Sequence, residues 1–307
     1  MAERCANPIK FITPAVTPLM EDGSIDKASA GKLYESLIAG GMDGVLLFGS
    51  IGEFFGLTLD QKKELIPYAK EVIGDRMEII VGTTSMIYTE IVDFSNYALE
   101  CGVDGVMVIP PYYFHFDDES VFAYYDKLAE DIRGTLYLYN FPDRTGYSIS
   151  PAVVRELAAK HDNIAGIKDT ISGVDHTREL VKAVKPIRPD FKIYSGFDDN
   201  FAHNVLCGGN GCIAGLSNLY PTLASAWCKA AREKDFAKVQ EIQQTVDSLM
   251  DIYNVGKPFV PFIKEAMALK GIIACPRATF PMPEASKEQK EALMAIMKRY
   301  EESGHVY

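Results

Sequence analysis

The sequence has 307 residues, of which 48% are hydrophobic and 24% are charged, the composition of an ordinary globular protein and not of a disordered one. Its net charge of −11 and pI near 5.0 argue against a nucleic-acid partner, which needs a basic surface, and against an anionic membrane surface. No run of about 18 apolar residues is present, and the N-terminus lacks an apolar signal core. We therefore expect a cytoplasmic protein without a membrane partner.

Cysteine and histidine spacing gives no sign of a metal site. No two cysteines form a C-x-x-C pair, and Cys101, Cys207 and Cys228 fall in apolar, helix-like stretches. We therefore predict buried free thiols in a reducing compartment, no disulfides and no metal. The cysteines are Cys5, Cys101, Cys207, Cys212, Cys228 and Cys275, and the histidines are His115, His161, His176, His203 and His305.

Short continuous apolar runs alternate along the chain with longer segments of helical periodicity. Continuous apolar runs are typical of parallel strands that are buried on both faces. The predicted strands cover residues 12–17, 44–49, 79–83, 105–109, 136–140, 164–168, 192–196 and 211–215. The predicted helices between them include residues 27–39, 59–73, 87–100, 121–132 and 151–160.

Capping signals support several of these helices. Thr58 with Gln61 predicts a capping box, and Ser150 before Pro151 predicts an N-cap followed by a first helical residue. The glycines at predicted helix ends, where a left-handed residue is needed, are Gly40, Gly74 and Gly102.

The repeated strand–helix unit predicts the fold. About eight units precede residue 232, and the motif G-x-D-G-V occurs at Gly41 and again at Gly102, so we predict a (β/α)8 TIM barrel over residues 1–232. The alternative, a doubly wound sheet, usually has a glycine-rich phosphate-binding turn after its first strand, and none is present. Residues 233–307 predict a C-terminal helical extension of the same domain, with helices near 235–254, 257–270 and 286–300.

Chemistry in such a barrel takes place at the C-terminal ends of the strands. The second predicted strand ends in G-S-I-G-E at residues 49–53. Its glycines allow backbone N–H groups near Ser50, Ile51 and Gly52 to approach a ligand carboxylate, and Ser50 adds a hydroxyl. The alternative is a tight β–α turn without a binding role.

Tyrosines and an arginine follow the fourth and fifth predicted strands. The segment P-P-Y-Y-F at residues 110–114 holds paired tyrosines in a stiff loop, although core packing of one tyrosine explains them equally well. Tyr139 can relay a proton if a partner polarises its phenol. Arg144 can clamp a carboxylate through two hydrogen bonds, and a rim salt bridge with Asp143 is the alternative.

A lysine ends the sixth predicted strand. In a dry barrel mouth the ammonium form of Lys168 is disfavoured, and a neutral amine can attack a carbonyl to form a Schiff base. The alternative is a lysine that extends to solvent at the rim. After the seventh strand, Asp198 and Asp199 suit recognition of substrate hydroxyls, and Asp198 alternatively caps the next helix. With Ser50 and Tyr139, Lys168 favours carbonyl chemistry through an imine, without metal or nucleotide.

Three motifs are similar to those of one known family: G-S-x-G-E at 49–53, Y-N-x-P at 139–142 and G-I-K-D at 166–169. Over nearly its whole length the chain resembles the dihydrodipicolinate synthase and N-acetylneuraminate lyase family of class I, pyruvate-dependent aldolases. The resemblance implies a TIM barrel, a covalent imine with pyruvate and no separate cofactor. It also implies a homotetramer built as a dimer of dimers.

The resemblance implies a role for each matching residue. Lys168 matches the lysine that forms the Schiff base, and Tyr139 matches the tyrosine that moves the proton. Ser50 matches the hydroxyl residue of the relay, and Tyr113 matches the tyrosine lent to a neighbouring subunit.

The resemblance also implies how pyruvate is held. Ile213 matches a residue whose backbone contacts the pyruvyl group. Ile51 departs from the family pattern, because many members carry threonine there, so the backbone N–H groups of Ser50 and Ile51 remain to hold the carboxylate.

The motifs point to two classes of second substrate. Arg144 matches the arginine with which dihydrodipicolinate synthases bind aspartate semialdehyde. Residues 197–199, F-D-D, look like the segment by which N-acetylneuraminate lyases bind sugar hydroxyls, and residues 168–170, K-D-T, look like 2-keto-3-deoxygluconate aldolases. We therefore expect cleavage of a 2-keto-3-deoxy sugar acid to pyruvate and an aldehyde. The alternatives are a dihydrodipicolinate synthase, an N-acetylneuraminate lyase, a sugar-acid dehydratase, or a binding or regulatory barrel that has lost the reaction.

Overall fold

The computed structural model describes residues 9–304 and residue 307. Eight parallel strands follow one another in sequence order around a closed barrel, so the predicted (β/α)8 fold is confirmed and the doubly wound alternative is wrong. The strands are β1 (Lys10–Pro14), β2 (Gly44–Leu47), β3 (Glu78–Gly82), β4 (Gly105–Val108), β5 (Leu136–Asn140), β6 (Ile164–Asp169), β7 (Lys192–Ser195) and β8 (Gly211–Ile213).

Helices follow the strands and continue after the last one. They are α1 (Lys27–Ala39), α2 (Leu59–Ile73), α3 (Tyr88–Glu100), α4 (Asp118–Asp131), α5 (Pro142–Thr145), α6 (Pro151–Lys160), α7 (Asp175–Val184), α8 (Phe201–Leu206), α9 (Pro221–Glu233), α10 (Phe236–Leu249), α11 (Val260–Leu269) and α12 (Lys287–Glu302). Helices α10 to α12 account for the predicted C-terminal extension, whose boundary at residue 232 stays a prediction.

The predicted helix caps are largely confirmed. Thr58 and Gln61 form a capping box at α2, and the hydroxyl of Ser150 accepts the N–H of Val153 at the start of α6. Gly40 is the exception, because it caps α1 in a right-handed conformation (φ −76°). The left-handed position falls one residue later, at Gly41 (φ 75°), where the turn into β2 requires it.

The chain divides into two compact units. The first contains residues 79–214, together with residues 9 and 10, and holds nearly all of β3 and all of β4 to β8. Within it, Tyr139 on β5 is in register with Lys168 on β6, and Lys168 is in register with Tyr194 on β7. The register therefore sets the two predicted reacting side chains on adjacent strands.

The second unit contains residues 11–78 and 215–307, including β2, α1, α2 and α9 to α12. Distant segments of the sequence are joined in it by side-chain hydrogen bonds. Asn218 accepts the N–H of Val16 at 3.1 Å and donates to the carbonyl of Pro14 at 3.0 Å, across 202 and 204 residues. Arg232 pairs with Asp43 at 2.6 Å.

The five cysteines that lie within the described residues are free. Cys212 and Cys228 are buried, but Cys101, Cys207 and Cys275 are half-buried, so burial is confirmed for Cys228 and not for Cys101 and Cys207. Cys5 lies outside the described residues. In the described part of the chain, no helix has the length and apolar character to cross a membrane.

Candidate active site

Lys168 and Tyr139 lie side by side at the C-terminal ends of β6 and β5. Nζ of Lys168 lies 4.5 Å from the centroid of the Tyr139 ring, and the two residues are only 4% and 5% exposed. A lysine that extends to solvent at the rim is therefore the wrong interpretation. The arrangement places a primary amine beside a phenol in a buried position, the pair of groups that imine formation and proton transfer require.

The short helix α5 carries the residues that follow Tyr139. Phe141 stacks on Tyr139 with the ring centroids 5.9 Å apart, and the guanidinium carbon of Arg144 lies 5.0 Å from the Phe141 centroid. Arg144 is exposed and donates to the main-chain carbonyl of Asp143 at 3.3 Å, not to its carboxylate. The predicted alternative of a salt bridge with Asp143 is therefore wrong, and the guanidinium is accessible to an anion.

Asp198 and Asp199 begin a 3-10 turn, Asp198–Asn200, that follows β7. Asp198 is buried at 3% exposure, whereas Asp199 is exposed, so the two carboxylates face different surroundings. Asp198 does not cap the next helix, because α8 begins after Asn200 and has no side-chain cap. We therefore treat the two residues separately and do not regard them as one carboxylate pair.

Thr170, the last residue of the K-D-T motif, is a further candidate, although no role of its own was assigned to it from the sequence alone. It follows Lys168 by two residues, and strand alternation gives the two side chains the same face. Its hydroxyl oxygen is buried and has no hydrogen-bond partner. A Cβ atom on Gly196 would lie 1.8 Å from that oxygen, so only glycine leaves room for it. A buried hydroxyl without a partner is unusual in a folded protein and calls for an explanation.

Two further predicted residues occupy contrasting places. Ile213 ends β8 and is fully buried. Tyr113 lies in the loop after β4, is 80% exposed and packs edge-on against Phe114, with the ring centroids 5.1 Å apart. Its phenol is therefore not buried with Tyr139 and Lys168 in this chain, whereas an exposed aromatic pair of this kind suits contact with another protein surface.

The second unit contains the loop of Ser50, Ile51 and Gly52, which forms the tight turn that the sequence suggested. Phe48 and Glu53 flank it with left-handed backbones (φ 53° and 58°), which is strained for residues other than glycine. A Cβ atom on Gly52 would lie 2.9 Å from the Phe48 nitrogen. Within the described residues, the N–H groups of Ile51 and Gly52 make no hydrogen bond, so they can receive an anion.

Glu53 fixes the far end of this loop through contacts that sequence patterns did not predict. Its carboxylate accepts Lys264 Nζ of α11 at 2.6 Å and the N–H of Thr279 at 2.6 Å. Neither side chain of the Glu53–Lys264 pair is exposed. Burial lowers the pKa of Lys264, and the adjacent Glu53 charge opposes that shift.

Comparison with known proteins identifies the family. The profile of the "Dihydrodipicolinate synthetase family" matches residues 7–300. The chain belongs to this family. Family members are class I aldolases and lyases that use pyruvate, so the protein is an enzyme of that class.

Named relatives in this family differ in their second substrate. "Putative 2-dehydro-3-deoxy-D-gluconate aldolase YagE" of Escherichia coli K12 is 35% identical, over 94% of this chain and 96% of its own length. "Probable 2-dehydro-3-deoxy-D-pentonate aldolase YjhH" of the same organism is 33% identical, over 94% and 95%. A 4-hydroxy-tetrahydrodipicolinate synthase of Kosmotoga olearia is also 33% identical, over 92% and 95%.

A solved structure agrees with this grouping. The crystal structure of YagE in complex with pyruvate has a TM-score of 0.92 and 32% identity to this chain, and the match covers 95% of this chain and 98% of that one. The fold and the family are thus supported by independent comparisons of sequence and structure.

Proposed function

We propose that the enzyme cleaves a 2-keto-3-deoxy sugar acid to pyruvate and an aldehyde, through an imine on Lys168. The observation that carries this proposal is the position of Nζ of Lys168, buried and 4.5 Å from the ring of Tyr139. A buried amine beside a phenol provides both the nucleophile and the proton carrier of a class I aldolase. No separate cofactor is required, because the lysine itself forms the electron sink.

In the proposed reaction, the Lys168 amine attacks the C2 ketone of the substrate, and water leaves as the imine forms. Tyr139 accepts the proton of the C4 hydroxyl while the C3–C4 bond breaks and its electron pair passes to the protonated imine. The aldehyde leaves, the enamine takes a proton at C3, and water then releases pyruvate and restores the amine. From the resemblance, we assign further steps of the proton relay to Ser50 and to Tyr113 of a neighbouring subunit.

The substrate carboxylate and hydroxyls have separate proposed partners. The N–H groups of Ile51 and Gly52, which make no hydrogen bond within the described residues, supply donors for the carboxylate. The backbone of Ile213 contacts the pyruvyl group in this proposal. The hydroxyl of Thr170 and the carboxylates of Asp198 and Asp199 supply partners for the sugar hydroxyls.

The choice of a sugar acid is supported by the buried Thr170 hydroxyl, since a polyhydroxy chain can satisfy it. It is also supported by the names of YagE and YjhH. The second candidate function is condensation of pyruvate with aspartate semialdehyde. The exposed Arg144 guanidinium, which has no carboxylate partner among the described residues, and the Kosmotoga olearia relative favour that function.

We also propose an assembly of two dimers. The exposed rings of Tyr113 and Phe114, 80% and 68% exposed, are suited to a subunit contact, and the relay assigned to Tyr113 needs a neighbour. A cytoplasmic location accompanies this proposal.

Pyruvate release tests the proposal directly. We expect the wild-type enzyme to release pyruvate from 2-keto-3-deoxygluconate, 2-keto-3-deoxygalactonate or a pentonate analogue, followed by a lactate dehydrogenase couple. Lys168→Ala should lose essentially all of this activity, by a factor of about 10³ or more, because the covalent route is removed. Release that persists in Lys168→Ala would overturn the assignment of the nucleophile.

A second assay distinguishes the two candidate substrates. If no sugar acid is cleaved while borohydride still traps pyruvate on Lys168, the condensation with aspartate semialdehyde becomes the better assignment. Arg144→Ala should then raise the KM for the semialdehyde about tenfold or more, since a charge-assisted hydrogen bond is lost. In the sugar-acid enzyme, the same substitution should leave the KM for pyruvate nearly unchanged.

A further inference from the structure

The carboxylate of Asp169 follows Lys168 directly in β6, and the proposed reaction does not use it. Its Oδ1 accepts the side-chain amide of Asn140 at 2.8 Å and lies 2.9 Å from Nδ1 of His176. Its Oδ2 accepts the hydroxyl of Thr177 at 2.7 Å. No part of the side chain is exposed. Three polar partners therefore hold this carboxylate in the interior.

The positive partner of this carboxylate is His176, on α7. Its ring is 14% exposed, and its Nε2 lies 3.0 Å from the carbonyl of Ile149 and 3.3 Å from the hydroxyl of Ser148. Since Nδ1 faces the Asp169 carboxylate and Nε2 faces the Ile149 carbonyl, the ring can donate to both together only as an imidazolium.

The charges around His176 favour this protonated form. Burial lowers the pKa of His176, but the hydrogen bond and charge of Asp169, the Ile149 carbonyl and the charge of Asp175 raise it overall above its ordinary value of 6.5. The charged groups that act on the ring are thus Asp169 on β6 and Asp175 on α7. The segment before α6 contributes only the uncharged Ser148 and Ile149.

These contacts lie next to the reacting side chains. Asn140 follows Tyr139 on β5, and Asp169 follows Lys168 on β6. Across the two strands, Tyr139 is in register with Lys168 and Asn140 is in register with Asp169. The Asn140–Asp169 hydrogen bond therefore bridges the two strands one residue beyond Tyr139 and Lys168. His176 attaches this bridge to α7.

We propose that Asp169 and His176 are positioning residues that fix Lys168 relative to Tyr139, and that this control weakens when His176 loses its proton. The proposal rests on the imine chemistry proposed for Lys168. A neutral histidine donates through only one nitrogen, so one of its contacts, to Asp169 or to Ile149, becomes a contact between two acceptors. The buried carboxylate also loses its counter-charge.

The test compares pyruvate trapping by wild type and His176→Asn across a range from about pH 6 to about pH 9, which spans histidine titration. Borohydride reduces the imine on Lys168, and mass spectrometry follows the modified protein. The asparagine amide takes the place of Nδ1 and keeps a neutral hydrogen bond, but it carries no charge. Both proteins keep Lys168, so any direct effect of pH on the amine is common to both and largely cancels in the ratio of their rates.

We expect wild type to be faster by about tenfold or more at the acidic end, because small misplacement of reacting groups is costly in rate. The ratio should fall towards one as the pH rises through the pKa of His176. The KM for pyruvate should change less than the trapping rate. A ratio that stays constant with pH would overturn the proposal in favour of a purely structural role, and a ratio near one throughout would overturn it entirely.

The chain offers a matched control in His161, whose Nε2 pairs with Asp126 at 2.6 Å at the opposite end of β6. His161→Asn also removes a histidine–carboxylate pair. The ratio of the wild-type trapping rate to that of His161→Asn should stay near one at every pH. If His176→Asn fails to fold, Asp169→Asn replaces it, because it keeps the shape and removes the charge. The Asp169→Asn variant should trap pyruvate slowly at every pH. Its trapping rate should not show the loss that the wild type shows as the pH rises through the pKa of His176.

Two readouts separate this proposal from the function on which it rests. A wild-type enzyme that traps no pyruvate overturns the imine on Lys168 and the positioning role together. If the wild-type enzyme traps pyruvate and His176→Asn traps it with the same rate at every pH, the positioning role alone is overturned. An NMR titration of the His176 ring that gives a pKa at or below 6.5 would also overturn it, independently of any substrate.

Discussion

Two buried carboxylates, one in each unit, lie next to predicted functional residues of their own unit and are held in different ways. Glu53 ends the loop of Ser50 and pairs with Lys264, which is 211 residues away in the sequence. Asp169 follows Lys168 and pairs with His176, which is only seven residues away. Histidine ordinarily titrates near 6.5, and its surroundings raise the pKa of His176 above that value, so the second pair is expected to change charge close to neutral pH.

The difference shows that a buried ion pair can either hold a loop in place or make a site sensitive to pH. A buried charge needs a partner of opposite charge, because the interior does not solvate it. The Glu53–Lys264 pair joins the loop after β2 to a helix of the C-terminal extension, so it gives that extension a role in holding the strained loop. The Asp169–His176 pair joins two neighbouring elements and adds sensitivity to pH.

The largest expected effect on stability comes from breaking the Glu53–Lys264 pair. Lys264→Met keeps the length of the side chain but leaves the Glu53 carboxylate buried without its positive partner, although the N–H of Thr279 still donates to it. We expect the free energy of unfolding to fall by about 3–5 kcal/mol, the usual cost of an uncompensated buried charge. Denaturant unfolding followed by circular dichroism measures this change.

Two comparisons sharpen that experiment. Glu53→Gln combined with Lys264→Met should recover a large part of the loss, because no unpaired charge remains. Lys298→Met removes a lysine paired with Glu302 at 3.5 Å, and both side chains of that pair are exposed, so we expect a change within about 1 kcal/mol. Equal losses in Lys264→Met and Lys298→Met would contradict the importance given to burial.

Removing the charge of the Asp169–His176 pair should have a smaller effect on stability, and that effect should depend on pH. Since the folded protein raises the pKa of His176 above 6.5, protonation contributes stability that is fully present below that value. The contribution is lost as the pH rises through the folded-state pKa. The difference in unfolding free energy between wild type and His176→Asn should therefore shrink from acidic to alkaline pH, and denaturant unfolding at several pH values measures it.

The sequence predicted what depends on nearby residues. The capping box of Thr58 and Gln61 spans three residues, and the strand of residues 136–140 matches its prediction because its apolar run is continuous. The positions of Lys168 and Tyr139 followed from the rule that barrel chemistry lies at strand ends. Their function came from the family resemblance, since a lone lysine at a strand end is compatible with several roles.

What the sequence did not predict depends on contacts between distant segments. The partner of Glu53 is 211 residues away, and no periodicity in the sequence relates the two positions. The unpaired hydroxyl of Thr170 depends on Gly196, which follows the neighbouring strand, so the role of either residue is visible only in the structure. The unequal burial of Asp198 and Asp199 likewise depends on how the 3-10 turn packs.

Thr170 gives the smallest expected change in stability and the clearest contrast with the charged pairs. Thr170→Val replaces a buried hydroxyl that has no partner with a methyl group of similar size, so the free energy of unfolding should change by no more than about 1 kcal/mol. The kcat/KM for the sugar acid should nevertheless fall about tenfold, as one substrate hydrogen bond is lost.

The matched control is Thr145→Val. Thr145 is also buried, but its hydroxyl contacts the carbonyl oxygens of Tyr147 at 2.6 Å and Phe141 at 3.2 Å, so removing it should reduce stability. Pyruvate has no distal hydroxyl, and borohydride trapping of pyruvate by Thr170→Val should therefore proceed at the wild-type rate. A parallel loss of pyruvate trapping and sugar-acid cleavage would show that Thr170 supports Lys168 and does not bind the substrate hydroxyls. Unchanged sugar-acid cleavage would remove Thr170 from the site, and substrate selection would then have to be sought at Asp198 and Asp199.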